Sequence, residues 1–121
     1  MLRILIADDN EFIRKGLKQI LTEEFPAIYI GEAEDADELI TMACAEQWSM
    51  IISDISMPGG GGLKALKTIK QQLPGLPVLV LSVYPEEQFS FRVMLAGASG
   101  FLNKDSAPEA LIQLVKNILG L

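Results

Sequence analysis

Five short apolar runs recur along the chain, and four of them stop at a side chain capable of chemistry. Residues 4–7 end at Asp8 and Asp9, residues 50–53 at Asp54, residues 78–81 at Ser82, and residues 100–103 at Lys104; the other run opens at residues 28–30. Runs this short, bounded by turn residues, fit strands buried on both faces, as in a parallel sheet flanked by helices. In such open α/β sheets ligands bind beyond the carboxyl ends of the strands, so the stop residues are the candidates for function.

The segments between the runs read as helices. After a cap at Asn10 or Asp9, Ile13, Leu17, Ile20 and Leu21 recur at helical spacing, and Arg14, Lys15 and Lys18 are expected in water. Pro26 closes that helix. The second begins near Asp35, with Glu38 completing a capping box and Leu39, Ile40 and Ala43 turned inward; Trp48 follows as a packing residue. The third runs from about Gly62 to Leu73 on Leu63, Leu66, Ile69 and Leu73, and is stopped by Pro74, Gly75 and Pro77. Pro85, Glu86 and Glu87 open the fourth, which ends at Gly97. A Ser106/Glu109 capping box with Pro108 in the first turn is expected to start the fifth, whose inner side carries Leu111, Leu114, Val115 and Ile118.

Five strands alternating with five helices predict a doubly wound α/β domain with sheet order 2-1-3-4-5, the flavodoxin-like arrangement. The switch point then falls between strands one and three and sets Asp8 and Asp9 beside Asp54. A length of 121 residues, 50% of them hydrophobic, suits one domain over residues 1–121 with a single functional site. The net charge of −6 argues against direct nucleic-acid contact, and the absence of histidine removes Ser-His-Asp triads and histidine metal sites. The one cysteine, Cys44, reads as a small buried hydrophobe in a reduced, cytoplasmic setting, and no apolar run is long enough for a signal peptide or membrane span.

Three carboxylates at one sheet edge are costly together. Two of them about 5 Å apart repel by about 3 kcal/mol at an effective dielectric near 20, and Lys104 offsets only part of this. Mg²⁺ suits a site of few carboxylates that keeps room for water and phosphate. Phosphoryl transfer needs little beyond positioning and charge neutralisation, with Asp54 as nucleophile and Lys104 and the Ser82 hydroxyl around the phosphoryl oxygens. The glycines at 59–62 would let the following loop approach closely, but they form neither a P-loop nor a dinucleotide-binding pattern.

With these residues in place the chain resembles a response-regulator receiver domain of two-component signalling over essentially its whole length. Asp8 and Asp9 match the acidic pair, Asp54 in DISMP the phosphoacceptor, Ser82 the switch hydroxyl, Phe101 the switch aromatic and Lys104 the lysine. RKGLKQIL at 14–21 and AGASGFLNKDSAPEAL at 96–111 are similar to receivers of the NarL/FixJ group, which precede LuxR-type helix-turn-helix domains. The resemblance implies Mg²⁺ held by Asp9, Asp54 and the Ser56 backbone carbonyl beside Asp8, with Ser56 and Tyr84 tuning hydrolysis of the phosphoryl group. It further implies a sensor histidine kinase as donor. Its switch repacks Ser82 and Phe101, controlling transcription through a DNA-binding domain outside this chain, and the module assists its own phosphorylation and dephosphorylation without being a turnover enzyme.

The chain departs from relatives at Gly61, where many carry an acid, at Asp105, where proline and a cis peptide are common, and at Asn103 in a usually apolar strand position. Ile112 and Leu119, away from the inner face of the fifth helix, read either as a homodimer seam or as scattered surface hydrophobes. Two rival functions remain. A haloacid-dehalogenase-like Mg²⁺ phosphatase needs Asp-x-Asp after strand one, where this chain has Asp8, Asp9, Asn10; an unphosphorylated pseudo-receiver should have lost one of the key positions, and none is lost.

Overall fold

The computed structural model describes residues 1–59, 61–83 and 86–121, with residues 86–90 described by their backbone alone. Tyr84, Pro85, Gly60 and the side chains of Glu86 and Glu87 therefore lie outside the described residues.

The chain alternates β1 (Arg3–Ala7), α1 (Glu11–Glu24), β2 (Tyr29–Ala33), α2 (Ala36–Ala45), β3 (Met50–Asp54), α3 (Gly61–Gln72), β4 (Val78–Ser82), α4 (Glu86–Leu95), β5 (Gly100–Asn103) and α5 (Pro108–Leu119). All strand pairs are parallel and their order is β2-β1-β3-β4-β5, as the alternation predicts. Side-chain alternation divides the core in two. Ile4, Ile6, Met50, Ile52, Leu79 and Leu81 face Leu17 and Leu21 of α1 and Leu111 and Val115 of α5. On the opposite side Leu5, Ala7, Ile51, Val78 and Val80 meet Leu39 and Ala43 of α2, Leu66 and Ile69 of α3, and Val93 of α4. β3 and β4 are buried along their whole length, which is why their sequences read as continuous apolar runs.

Trp48 is structural, as expected. Its indole Nε1 donates to the Met42 carbonyl at 3.0 Å and its ring stacks on Tyr29. Three local expectations need correction. Cys44 is exposed: Ala36, Leu39 and Ala43 form the buried stripe of α2, one step around the helix, and the thiol donates to Gln72 Oε1 at 3.0 Å. The capping box of α2 is displaced, because Asp35 accepts from the Glu38 N–H but Glu38 accepts from the N–H of Glu34. Ser106 does not cap α5. The residue before a proline is driven out of the helical region, so Ala107 is extended and becomes the N-cap without a side-chain hydrogen bond. Ile112 and Leu119 are partly buried against the α1/α5 side of the core, and Ile112 also lines a groove between α1 and α5.

Among the described residues no helix is long and apolar enough to cross a membrane.

Candidate functional site

Strand register assembles the site. Ala7 pairs with Ser53, so Asp8 and Asp54, each the next residue, emerge level on adjacent strands. Beyond the β3–β4 and β4–β5 pairings, the Ile55 N–H donates to Leu81 and the Lys104 N–H to Ser82, bringing the ends of β4 and β5 to the same edge. Oxygens of Asp8, Asp9 and Asp54 all lie within 4.8 Å of one another. Asp8 and Asp54 are buried, with 1% and 5% of their surface exposed, while Asp9 is open to solvent.

Lys104 is the counter-charge. Its Nζ lies 2.6 Å from Asp8 Oδ2 and 3.3 Å from Asp54 Oδ2. Burial draws the ammonium down, but the hydrogen bond to Asp8 and the charges of Asp54 and Asp8 outweigh it and hold its pKa above the usual lysine value. For Asp54 burial is the largest influence and raises its pKa, with Asp8 adding to the rise while Lys104 and the Ser56 N–H oppose it. The central acid is thus held in a setting unfavourable to its own negative charge. The hard, all-oxygen donors within this span fit Mg²⁺, which would relieve that penalty.

Ser82 is fully buried at the end of β4, level with Asn103 of β5, and Phe101, two residues earlier on β5 and paired with Val80, is half-buried against the α2/α3/α4 side of the core. Ser56 is exposed in the loop after Asp54. Asn103, whose partner the sequence left open, ends β5 in a turn: its Oδ1 accepts from the Asp105 N–H at 2.8 Å and its carbonyl from the Ser106 N–H at 3.0 Å. All peptide bonds among the described residues are trans.

The substitution Lys104→Met should lower stability by about 2 kcal/mol, the scale of a lost hydrogen bond to a charged group. Because it leaves the carboxylates without a cation, millimolar Mg²⁺ should raise the melting temperature of this variant more than that of the native chain. Thermal melts with and without Mg²⁺ check both points.

Arg14 overturns an expectation outright. Predicted in water, it is 6% exposed. Its Nη1 donates to the Asp8 carbonyl at 2.7 Å, Nε to Glu32 Oε1 at 3.0 Å, and Nη2 to Glu34 Oε1 at 3.4 Å, while Lys18 Nζ reaches Glu32 Oε2 at 3.1 Å. The signal was present in its position, three residues before Leu17 and seven before Leu21, on the stripe that α1 buries. Burial raises the pKa of Glu32, but hydrogen bonds from Lys18 and Arg14 win and leave it below the ordinary 4.5. A carboxylate depressed in the folded state stabilises above its unfolded pKa and loses that contribution as pH falls through the folded one. Glu32→Gln should therefore cost about 0.5 kcal/mol at pH 7, since the group is partly solvated, and nothing once both forms are protonated. Melting temperatures at pH 7 and pH 3 measure the difference.

Comparison with known proteins agrees with this geometry. The family described as response regulator receiver domain matches residues 4–116. The response regulator UvrY of Escherichia coli strain K12 is 30% identical over 118 residues, covering 98% of this chain and 54% of UvrY. The transcriptional regulatory protein DegU of Brevibacillus brevis is 34% identical over 115 residues, covering 95% of this chain and 49% of DegU. The chain thus spans about half the length of the curated relatives it matches. Among solved structures, the response regulator TrrA of Thermotoga maritima, in complex with Mg²⁺-BeF, superposes with a TM-score of 0.89 at 30% identity, covering 98% of this chain and 100% of that one. A LuxR-family two-component response regulator from Aurantimonas superposes with a TM-score of 0.90 at 30% identity, covering 98% and 84%.

Proposed function

This chain belongs to the response regulator receiver domain family, and from that premise we propose that residues 1–121 form one receiver domain that accepts a phosphoryl group on Asp54 from the phosphohistidine of a sensor histidine kinase. The observation that carries the reading is the meeting of Asp8, Asp9 and Asp54 oxygens within 4.8 Å at one sheet edge, with Lys104 Nζ between two of the carboxylates.

An Asp54 carboxylate oxygen attacks phosphorus; an O–P bond forms, the P–N bond to the imidazole breaks, and its electron pair returns to the nitrogen. Asp9, Asp54 and the Ser56 carbonyl would hold Mg²⁺ beside Asp8, where it would supply positive charge to the phosphoryl oxygens. Lys104, already at Asp54, contributes the second positive charge to those oxygens. The Ser82 hydroxyl, fully buried one strand away, then turns to the phosphoryl group, and Phe101 repacks at the edge of the core. Such a shift needs hydrogen bonds made only in the phosphorylated state, and a phosphoryl group provides them. Ser56, exposed two residues after Asp54, would tune hydrolysis, a role the resemblance also gives to Tyr84.

The output is transcription, through a DNA-binding domain beyond this chain, in the cytoplasm; the receiver contacts neither nucleic acid nor membrane and turns over no substrate of its own. Phe91 and Leu95 of α4 are more than 70% exposed and offer apolar surface to an output partner. Self-association through α5 would use the groove of about 480 Å³ between α1 and α5, which Ile20 and Ile112 line.

Incubation with acetyl phosphate and Mg²⁺ followed by intact-mass measurement tests the assignment. One phosphoryl adduct is expected on the native chain and none on Asp54→Asn. An adduct on both would move the site elsewhere, and none on either would favour a pseudo-receiver.

A further inference from the structure

We propose that Arg14 is a positioning residue for the metal site: by holding the Asp8 carbonyl it fixes the peptide plane that aims the Asp9 carboxylate at Asp54. The inference rests on the reading of that pocket as a Mg²⁺ and phosphoryl site, and concerns what keeps its most exposed ligand in place.

A guanidinium is among the costliest groups to bury, and its burial needs full compensation by hydrogen bonds and opposite charge. Arg14 has both. Glu32 and Glu34 balance its charge from the end of β2 and the residue after it. Tying α1 to β2 would require only those two contacts. The shortest of the three, 2.7 Å and buried, goes instead to the backbone of the acidic loop.

Asp8 is consequently held on every side. Its N–H donates to the Ala33 carbonyl at 3.1 Å, its carboxylate accepts from the Asn10 N–H at 2.9 Å and from Lys104 at 2.6 Å, and its carbonyl accepts from Arg14. Asp9 is different, being exposed to solvent. The Asp8 carbonyl and the Asp9 N–H share one rigid peptide plane, so an anchor on the carbonyl also fixes the N–Cα axis from which the Asp9 side chain is presented. Because two glutamates balance the guanidinium, its charge is offset beneath the loop and opposes an incoming cation only weakly. Groups that orient ligands from behind in this way commonly change metal affinity about 10- to 100-fold when removed.

Calorimetric titration with Mg²⁺ at 25 °C, without any phosphoryl donor, reads this directly. Arg14→Met keeps the bulk of the buried stem and removes every donor; it should bind Mg²⁺ about tenfold more weakly than the native chain. Arg14→Lys has one ammonium for a carbonyl and two carboxylates, and should fall between, about threefold weaker. Ile69→Val, in α3 on the other face of the sheet, should lower the melting temperature and leave Mg²⁺ affinity unchanged, which separates lost positioning from general destabilisation. Arg14→Met and Arg14→Lys both binding as tightly as the native chain would overturn the inference, whatever their melting temperatures. If circular dichroism shows Arg14→Met unfolded, Arg14→Lys decides alone. A native chain whose Mg²⁺ binding is absent, or is indifferent to Asp54→Asn, overturns the site reading and this inference with it; binding that responds to Asp54 but not to Arg14 overturns this inference only.

Discussion

Asp54→Asn should abolish phosphoryl uptake completely and at the same time melt a few degrees higher than the native chain. The loss follows from chemistry. A neutral amide oxygen lacks the negative charge of a carboxylate and is far too weak a nucleophile, and the remaining acids are poor substitutes: the Asp8 carboxylate is held by Lys104 and the Asn10 N–H, and Asp9 sits on the solvent-exposed loop rather than at the buried strand end. The gain follows from electrostatics. Asp54 is buried beside Asp8, and burial, the largest influence, holds its pKa above the ordinary 3.8 against the opposing pull of Lys104. The folded chain therefore binds that proton more tightly than the unfolded chain, so this group's contribution to stability falls as pH rises through the folded pKa. Asparagine mimics the protonated acid at every pH, keeps an acceptor for the Ser56 N–H, and leaves Lys104 to Asp8 alone. Its advantage should be full above the folded pKa of Asp54 and absent below about 3.8. A shift of a few degrees is what about 1 kcal/mol produces in a domain of this size. Melts across pH 3 to 8, paired with intact-mass measurement at neutral pH, check both halves; a variant that melts lower at neutral pH would mean that the Lys104 contact outweighs burial and repulsion.

Gly62→Ala should destabilise the fold by about 3 kcal/mol or more, among the largest effects of adding a single methyl group. A Cβ at that position would overlap the Asp54 carbonyl oxygen and stand 2.8 Å from the Ile55 Cα. Both are backbone atoms of the phosphoacceptor strand and its exit, so no side chain can swing aside. The Gly62 N–H also donates to the Ile55 carbonyl at 2.8 Å, which closes the loop onto the strand and starts α3 there. Relief would require α3 to lift away from β3, opening the contact of Leu66 and Ile69 with the core. Denaturant unfolding measures the loss. Mg²⁺ affinity in whatever folded fraction survives should also fall, because the same displacement moves the loop carrying Ser56. A variant with native stability would mean that the loop has a second, equally favourable path. Gly61 has φ +83°, a conformation in which a side chain is strained, so its glycine is part of how this loop turns.

What sequence patterning could reach was set by local rules. Continuous apolar runs announce strands buried on both faces, helical stripes announce the covering layers, and alternation of the two confines the sheet to parallel pairing. Since each strand ends where its apolar run ends, Asp8, Asp9, Asp54, Ser82 and Lys104 were legible as residues of one sheet edge before any coordinate was known. Receiver membership was legible in the same residues together with the family likeness around them.

The tertiary structure decided matters that depend on neighbours distant in the chain. Arg14 looks like a solvated helix charge until the end of β2 brings Glu32 and Glu34 against it and the acidic loop presents a carbonyl. Cys44 looks buried until the Ala36–Leu39–Ala43 stripe proves to be the face that α2 turns to the core. Ser106 is the exception, a local rule overlooked: Pro108, two residues on, forces the residue between them into an extended conformation. A pattern of side chains specifies which face of an element is apolar, because burying that face is worth the same wherever it happens. Whether a polar or charged group is buried depends on partners that only the closed fold supplies, since its desolvation is tolerable with them and prohibitive without.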